Sequence, residues 1–223
     1  MFDSSMMLLI PAFLLAMWAQ FNVKSTFDKY SRVSARGGSN GAYVARMLLD
    51  RAGLSNVPVN SVSGHLTDHY DPVKRTINLS ESVYGSSSIA SLGVAAHECG
   101  HAIQHSIGYT PLMIRNTIVP VVNLGSTIAI PLFFIGFVLS ATGLMTLGIV
   151  FFTGVIVFHL VTLPVEFNAS SRALAVLGDT GTLSKDELVG AGAVLRAAAW
   201  TYIAAAVMAA AQLIRLIIMK NRR

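Results

Sequence analysis

Charge is what this chain has least of. Asp, Glu, Lys and Arg make up 12% of its 223 residues, about half the ~25% usual in soluble domains. Cysteine occurs once, at Cys99. That excludes an intramolecular disulfide and fits a reducing compartment. No repeat of 20–50 residues and no low-complexity segment is present. Basic residues outnumber acidic ones, 16 to 11, but they form no stripe interleaved with aromatics, so no nucleic-acid partner is expected. They sit beside long uncharged runs instead, the pattern of a membrane protein obeying the positive-inside rule.

Apolar residues are what the chain has in excess: 53% of the sequence, with a mean hydropathy of +0.61. Residues 6–23, MMLLIPAFLLAMWAQFNV, are long enough to cross hydrocarbon at about 1.5 Å per residue. A secretory signal peptide would need a basic start and a small-residue cleavage site. Here the basic residues Lys24, Lys29, Arg32 and Arg36 follow the run, so the expectation is a retained anchor (residues 1–24) whose C-terminal end faces the cytoplasm. Residues 118–139 and 144–163 are two further spans, joined by the short SATG, and predict an antiparallel hairpin within 116–163. A fourth run, about 197–219 inside a C-terminal segment 194–223, ends in KNRR and is expected to span as well. Spanning would put KNRR outside, against the charge rule; an interfacial helix would keep it inside. The segment 164–193 is polar enough to lie outside the bilayer, with Ser184 and Glu187 spaced as a capping box.

Residues 25–115 contain no spanning run. AYVARMLLDRAG (42–53) predicts an amphipathic helix ended by Gly53. VPVNSVSG, HLTDHYDP and KRTINLS predict short strands, and about 88–106 predicts a helix stopped by Gly108. That last helix carries AAHECGHAIQH, residues 95–105. His97 and His101, at i and i+4, project from one helical face. Two imidazoles so spaced can share one zinc ion. In the HExxH pattern the intervening Glu98 is a general base, taking a proton from the attacking water and later protonating the leaving amine. A catalytic zinc needs a third protein ligand and an open position. Glu166, in LPVEFNASSRAL just after the third span, is the candidate: a carboxylate at a membrane boundary needs a partner. Imidazole and carboxylate also serve other first-row metals.

The remaining polar residues are weaker candidates. His105 lies one turn past His101 and is expected to contact substrate, support the site or be merely polar rather than ligate. Cys99 is expected to be a small packing residue. His65, His69 and Asp71 either line the cleft or sit on a polar loop surface. His159, inside the third span, is a functional suspect or a hydrogen-bonded packing residue.

HECGH followed by Glu166-Phe167-Asn168-Ala169 resembles the gluzincin metallopeptidases, and within them the membrane-embedded heat-shock and CAAX prenyl proteases. VSGHLTDHYDP, AAHECGHAIQH and LPVEFNASSRAL together resemble the YugP-type neutral zinc metallopeptidases of bacteria over nearly the whole chain. The resemblance implies one zinc ion held by His97, His101 and Glu166, with Glu98 as the base. In the wider group an aspartate four residues after the third ligand orients a zinc-binding imidazole; here that position is Ser170, a hydroxyl without charge. Arg172 either stabilises a developing oxyanion or pairs with a carboxylate.

The expectation is therefore a mainly α integral membrane protein with a gluzincin- or minizincin-like catalytic core, a small β element and about four transmembrane helices. It would act as a metalloendopeptidase on polypeptide substrates at the cytoplasmic face of a bacterial plasma membrane, with the lipid bilayer as its other partner. A site-2-type intramembrane protease would need its HExxH within a span. A scaffold with a structural zinc would favour four ligands, mostly cysteines. Nothing in the sequence specifies an oligomeric state.

Overall fold

The computed structural model describes residues 4–222. After a single 3-10 turn, the chain forms α1 (Leu9–Ser31), α2 (Gly41–Arg51), β1 (Val59–Val62), β2 (His69–Asp71), β3 (Thr76–Ser80), α3 (Glu81–Tyr84), α4 (Ile89–Ser106), α5 (Thr110–Val138), α6 (Thr142–Asp179) and α7 (Lys185–Asn221). The protein is mainly helical with one small sheet. Four helices, those containing residues 5–31, 110–138, 142–179 and 185–221, are long and apolar enough to cross a bilayer. The fourth apolar run belongs to one of them.

Two helices extend far beyond the apolar runs that announced them. α6 has 38 residues, about 57 Å at 1.5 Å per residue, against a hydrocarbon core of about 30 Å. The third span and the polar stretch after it belong to one helix, which includes Pro164. A proline inside a helix removes one backbone donor, a loss that long apolar helices tolerate when neighbours satisfy the freed carbonyl. α7 likewise joins the polar 185–193 to the apolar run after it. The capping box at its start is half formed: the Ser184 N–H donates to Glu187 Oε2 at 2.8 Å, while Glu187 Oε1 accepts from the Arg36 N–H, also at 2.8 Å.

The chain divides into two compact units. The first comprises residues 1–20, 113–163 and 200–223. Its surface is apolar: Met7, Val121, Leu124 and Val138 are each 68–75% exposed, which suits lipid rather than water as solvent. Glycines let α5 and α6 approach closely. A Cβ on Gly136 would lie 2.7 Å from the Met145 nitrogen, and one on Gly148 would lie 2.8 Å from the Ala129 oxygen. Phe133, Met145 and Leu216 form the buried centre of this unit.

The second unit comprises residues 21–112 and 164–199. Its sheet has the order β1-β3-β2, with β1 parallel and β2 antiparallel to β3. The core gathers Leu48 and Leu49 of α2, Ile77 and Leu79 of β3, and Leu92, Ala95, Ala96 and Cys99 of α4. α2 is capped by Asn40, whose side chain accepts from the Tyr43 N–H at 2.9 Å. α4 is capped by Ser88, whose hydroxyl accepts from the Ser91 N–H at 3.1 Å, and it ends where Gly108 turns to φ 64°. Its buried face is built from small residues, so neighbouring backbones come close to the histidine-bearing turns.

Candidate metal centre

The structure brings His97, His101 and Glu166 together. His97 Nε2 lies 3.3 Å from Glu166 Oε2, and His101 Nε2 lies 3.6 Å from the same oxygen. The two rings meet edge to face with centroids 4.7 Å apart. Glu166 is 3% exposed and His101 8% exposed. Burial alone would raise the Glu166 carboxyl; the facing imidazoles of His101 and His97 outweigh it and hold the group well below the usual carboxylate range. Burial would likewise lower His101, but Glu166 and Glu98 together raise it.

Gly100 is what allows this convergence. A Cβ there would sit 2.8 Å from the Ala169 oxygen and 3.2 Å from its Cα, so α4 and α6 meet backbone to backbone at the residue just before His101. In an open helical position, Gly→Ala would stabilise by about 1 kcal/mol. At Gly100 the sign should reverse, because neither backbone can give way. Gly100→Ala should lower the melting temperature and weaken zinc binding at least tenfold, measured by thermal unfolding with and without zinc. A stabilised variant with normal zinc affinity would disprove the close approach.

The far sides of both imidazoles are held. His101 Nδ1 lies 3.0 Å from Gln104 Oε1. Gln104 is fully buried, and its Nε2 donates to the Val165 carbonyl at 2.9 Å and to Asn168 Oδ1 at 3.0 Å. Those two bonds fix which end of the amide is oxygen. Gln104 Oε1 can only accept, so His101 Nδ1 carries the proton. In the neutral ring Nε2 is then a bare lone pair facing a carboxylate oxygen. Two such electron-rich atoms stay together only with a cation, a proton or a metal ion, between them. Ser170 Oγ lies 3.1 Å from His97 Nδ1, so the hydroxyl occupies the orienting position where the wider group has an aspartate.

This donor set fits a zinc ion. Bonds of about 2.0–2.1 Å in a tetrahedron put neighbouring ligand atoms roughly 3.3 Å apart, whereas a direct charge-assisted hydrogen bond would draw them to about 2.7–2.9 Å. The observed 3.3 and 3.6 Å suit the ion. Among the described residues no other group of three or more His, Cys, Asp or Glu is placed to hold a metal.

Glu98 is buried on α4 between the two histidines in sequence, 7% exposed. Cys99 is fully buried in the core, its Sγ 3.5 Å from the Ala45 carbonyl, and burial pushes its thiol far up. It is a packing residue. The structure does not bring His105 and His69 into the cluster. His105 Nδ1 lies 2.8 Å from the Tyr70 hydroxyl. His69 is exposed on β2, with Nδ1 2.8 Å from the Thr67 carbonyl and Nε2 3.2 Å from the Asn78 amide. His65 stacks edge-on against Phe27 at 5.4 Å, and Asp71 accepts the Val73 and Lys74 N–H groups of a turn. Arg172 meets an amide rather than a carboxylate: its Nε donates to Asn168 Oδ1 at 2.7 Å.

Gln104 and Asn168 are the participants that motif reasoning passed over. Gln104 was detectable in principle, lying three residues after His101 on the same helical face. Gln104→Leu should weaken zinc binding by about 10–100-fold, the usual effect of removing an orienting partner, as read by competition with a chelating dye.

A family model described as "Putative neutral zinc metallopeptidase" matches residues 5–221. Among curated proteins, the "Putative membrane protease YugP" of Bacillus subtilis (strain 168) is 49% identical over 210 residues, covering 94% of this chain and 93% of that protein. No solved structure matches. With its residues matched almost end to end, the chain belongs to this zinc metallopeptidase family.

Proposed function

We propose that the protein is a membrane-embedded zinc metalloendopeptidase with a gluzincin-type site, hydrolysing membrane-associated or unfolded polypeptides at the cytoplasmic face of a bacterial plasma membrane. The observation that carries this reading is the convergence of His97 Nε2 and His101 Nε2 on one oxygen of the buried Glu166, at 3.3 and 3.6 Å. Gln104 turns a lone pair toward Glu166 where His97 also converges, so the site is built for a cation.

When bound, zinc supplies Lewis-acid polarisation of the scissile carbonyl and acidifies water. The chain's own residues do the rest. His97, His101 and Glu166 hold the ion, and Gln104 and Ser170 keep the imidazoles aimed at it. Glu98 takes the proton from the attacking water and delivers it to the leaving amine. β2 is an edge strand tied to α4 through Tyr70 and His105. It offers backbone groups to which an extended peptide adds as a further strand.

The cytoplasmic assignment rests on charge. Lys24, Lys29, Arg32, Arg36, Arg115, Arg172, Lys185 and Arg196 all lie in the flanks between spans that share the HExxH segment's side. The opposite side has only the KNRR end and the nearby Arg215. The α4 segment is not among the four candidate spans and lies in the core of the sheet-containing unit. Both facts favour this reading over a site-2-type protease.

The test is the purified protein with an internally quenched peptide. Cleavage should be abolished by a chelator and restored by zinc. Cleavage that survives complete removal of metal would overturn the proposal.

A further inference from the structure

We propose that a groove in the first unit binds one anionic phospholipid, its phosphate on Arg215 and Gln212 and an acyl chain along the apolar wall. This inference is independent of the zinc site.

The groove has a volume of about 600 Å³ and is lined by Phe134 of α5, Phe152 and His159 of α6, and Met208, Gln212 and Arg215 of α7, among others. Gln212 and Arg215 are three residues apart on one helix and so share a face. No carboxylate is among the lining residues. The buried Nε of Arg215 finds no hydrogen-bond partner among the described residues. A guanidinium beside an apolar groove, with an N–H left over and no acid to answer it, calls for an anion. Arg215 lies five residues before Lys220, roughly 7.5 Å along the helix. A long cationic side chain at that depth meets the plane of lipid phosphates.

Size selects the occupant. A transmembrane helix, about 10–12 Å across and 30 Å long, displaces roughly 2,400–3,400 Å³, several times the groove. An acyl chain is slender enough to lie in it, and a bilayer supplies that chain already joined to a phosphate. Leu216, the next residue, packs on Phe133 and Met145 near the α5–α6 turn. The anion is therefore expected at that end, with His159, farther along α6, meeting only the chain.

The test is native mass spectrometry of the full chain released from nanodiscs of equal phosphatidylglycerol and phosphatidylcholine. The expected result is one phosphatidylglycerol retained per chain. Retention should fall about tenfold or more in Arg215→Gln, fall measurably in Gln212→Leu, and stay unchanged in His159→Leu. Helical circular dichroism and melting in zwitterionic detergent check that each variant is folded. Equal retention of both lipids, or wild-type retention in both folded α7 variants, would overturn the proposal. So would loss in His159→Leu, or displacement of the lipid by soluble glycerol phosphate.

Discussion

Glu98→Gln should lower kcat for peptide cleavage by about 10²–10⁴-fold, the range general acid–base catalysis supplies, with zinc still bound at about one ion per chain. The amide keeps the size of the carboxyl and cannot accept a proton at working pH. Glu98 is buried on the same turns as His97 and His101, and its charge contributes to the raised proton affinity of His101. Removing that charge should therefore loosen the metal slightly, by less than tenfold, and leave KM nearly unchanged. This split separates the peptidase from a scaffold with a structural ion. In a scaffold the variant would keep its metal, its stability and whatever cellular role the wild type has. A quenched-peptide assay with parallel metal analysis decides it, and wild-type turnover by a zinc-loaded Glu98→Gln protein would remove Glu98 from the mechanism.

The parts of this molecule that could be read in the sequence are those governed by local periodicity. Four apolar runs announce four long helices because hydrocarbon accepts little else. The histidines of HExxH share a face because four residues are nearly one helical turn. The three strand segments were visible as alternation, but their order was not: β1 runs parallel to β3 although β2 intervenes in sequence, and nothing local encodes such a crossover. The third span, 144–163, and the polar segment 164–193 read as separate pieces in the sequence, whereas one helix runs from Thr142 to Asp179. That continuity sets the register by which Glu166, Ala169, Ser170 and Ala173 all face α4. Gln104 looked like one more polar residue in a polar stretch. Its role appears only when Val165 and Asn168, more than sixty residues away, close around its amide. In the sequence His69 reads either as lining the cleft or as part of a polar surface; its two nitrogens lie on Thr67 and Asn78, contacts that no local pattern announces.

Glu166→Ala should abolish stoichiometric zinc binding and with it all cleavage. The carboxylate is the only anion among the three candidate ligands, and both imidazoles lean on the same oxygen, at 3.3 and 3.6 Å. Without it, two neutral rings in a buried pocket would have to take a divalent cation out of water with no charged ligand to bind it, a cost that burial makes severe. The loss should also be visible without any substrate. A ligand that binds only the folded state stabilises it, by about 2.7 kcal/mol at a hundredfold excess over Kd. Adding zinc to metal-free protein should therefore raise the melting temperature of the wild type and of Glu98→Gln, and leave that of Glu166→Ala unmoved. Glu166→Gln refines the test. It preserves volume and one possible ligand oxygen but not the charge, so an intermediate zinc affinity would show that charge, more than shape, holds the ion. Full zinc occupancy in Glu166→Ala would place the metal on some other set of side chains and leave the convergence of α4 and α6 without its assigned purpose.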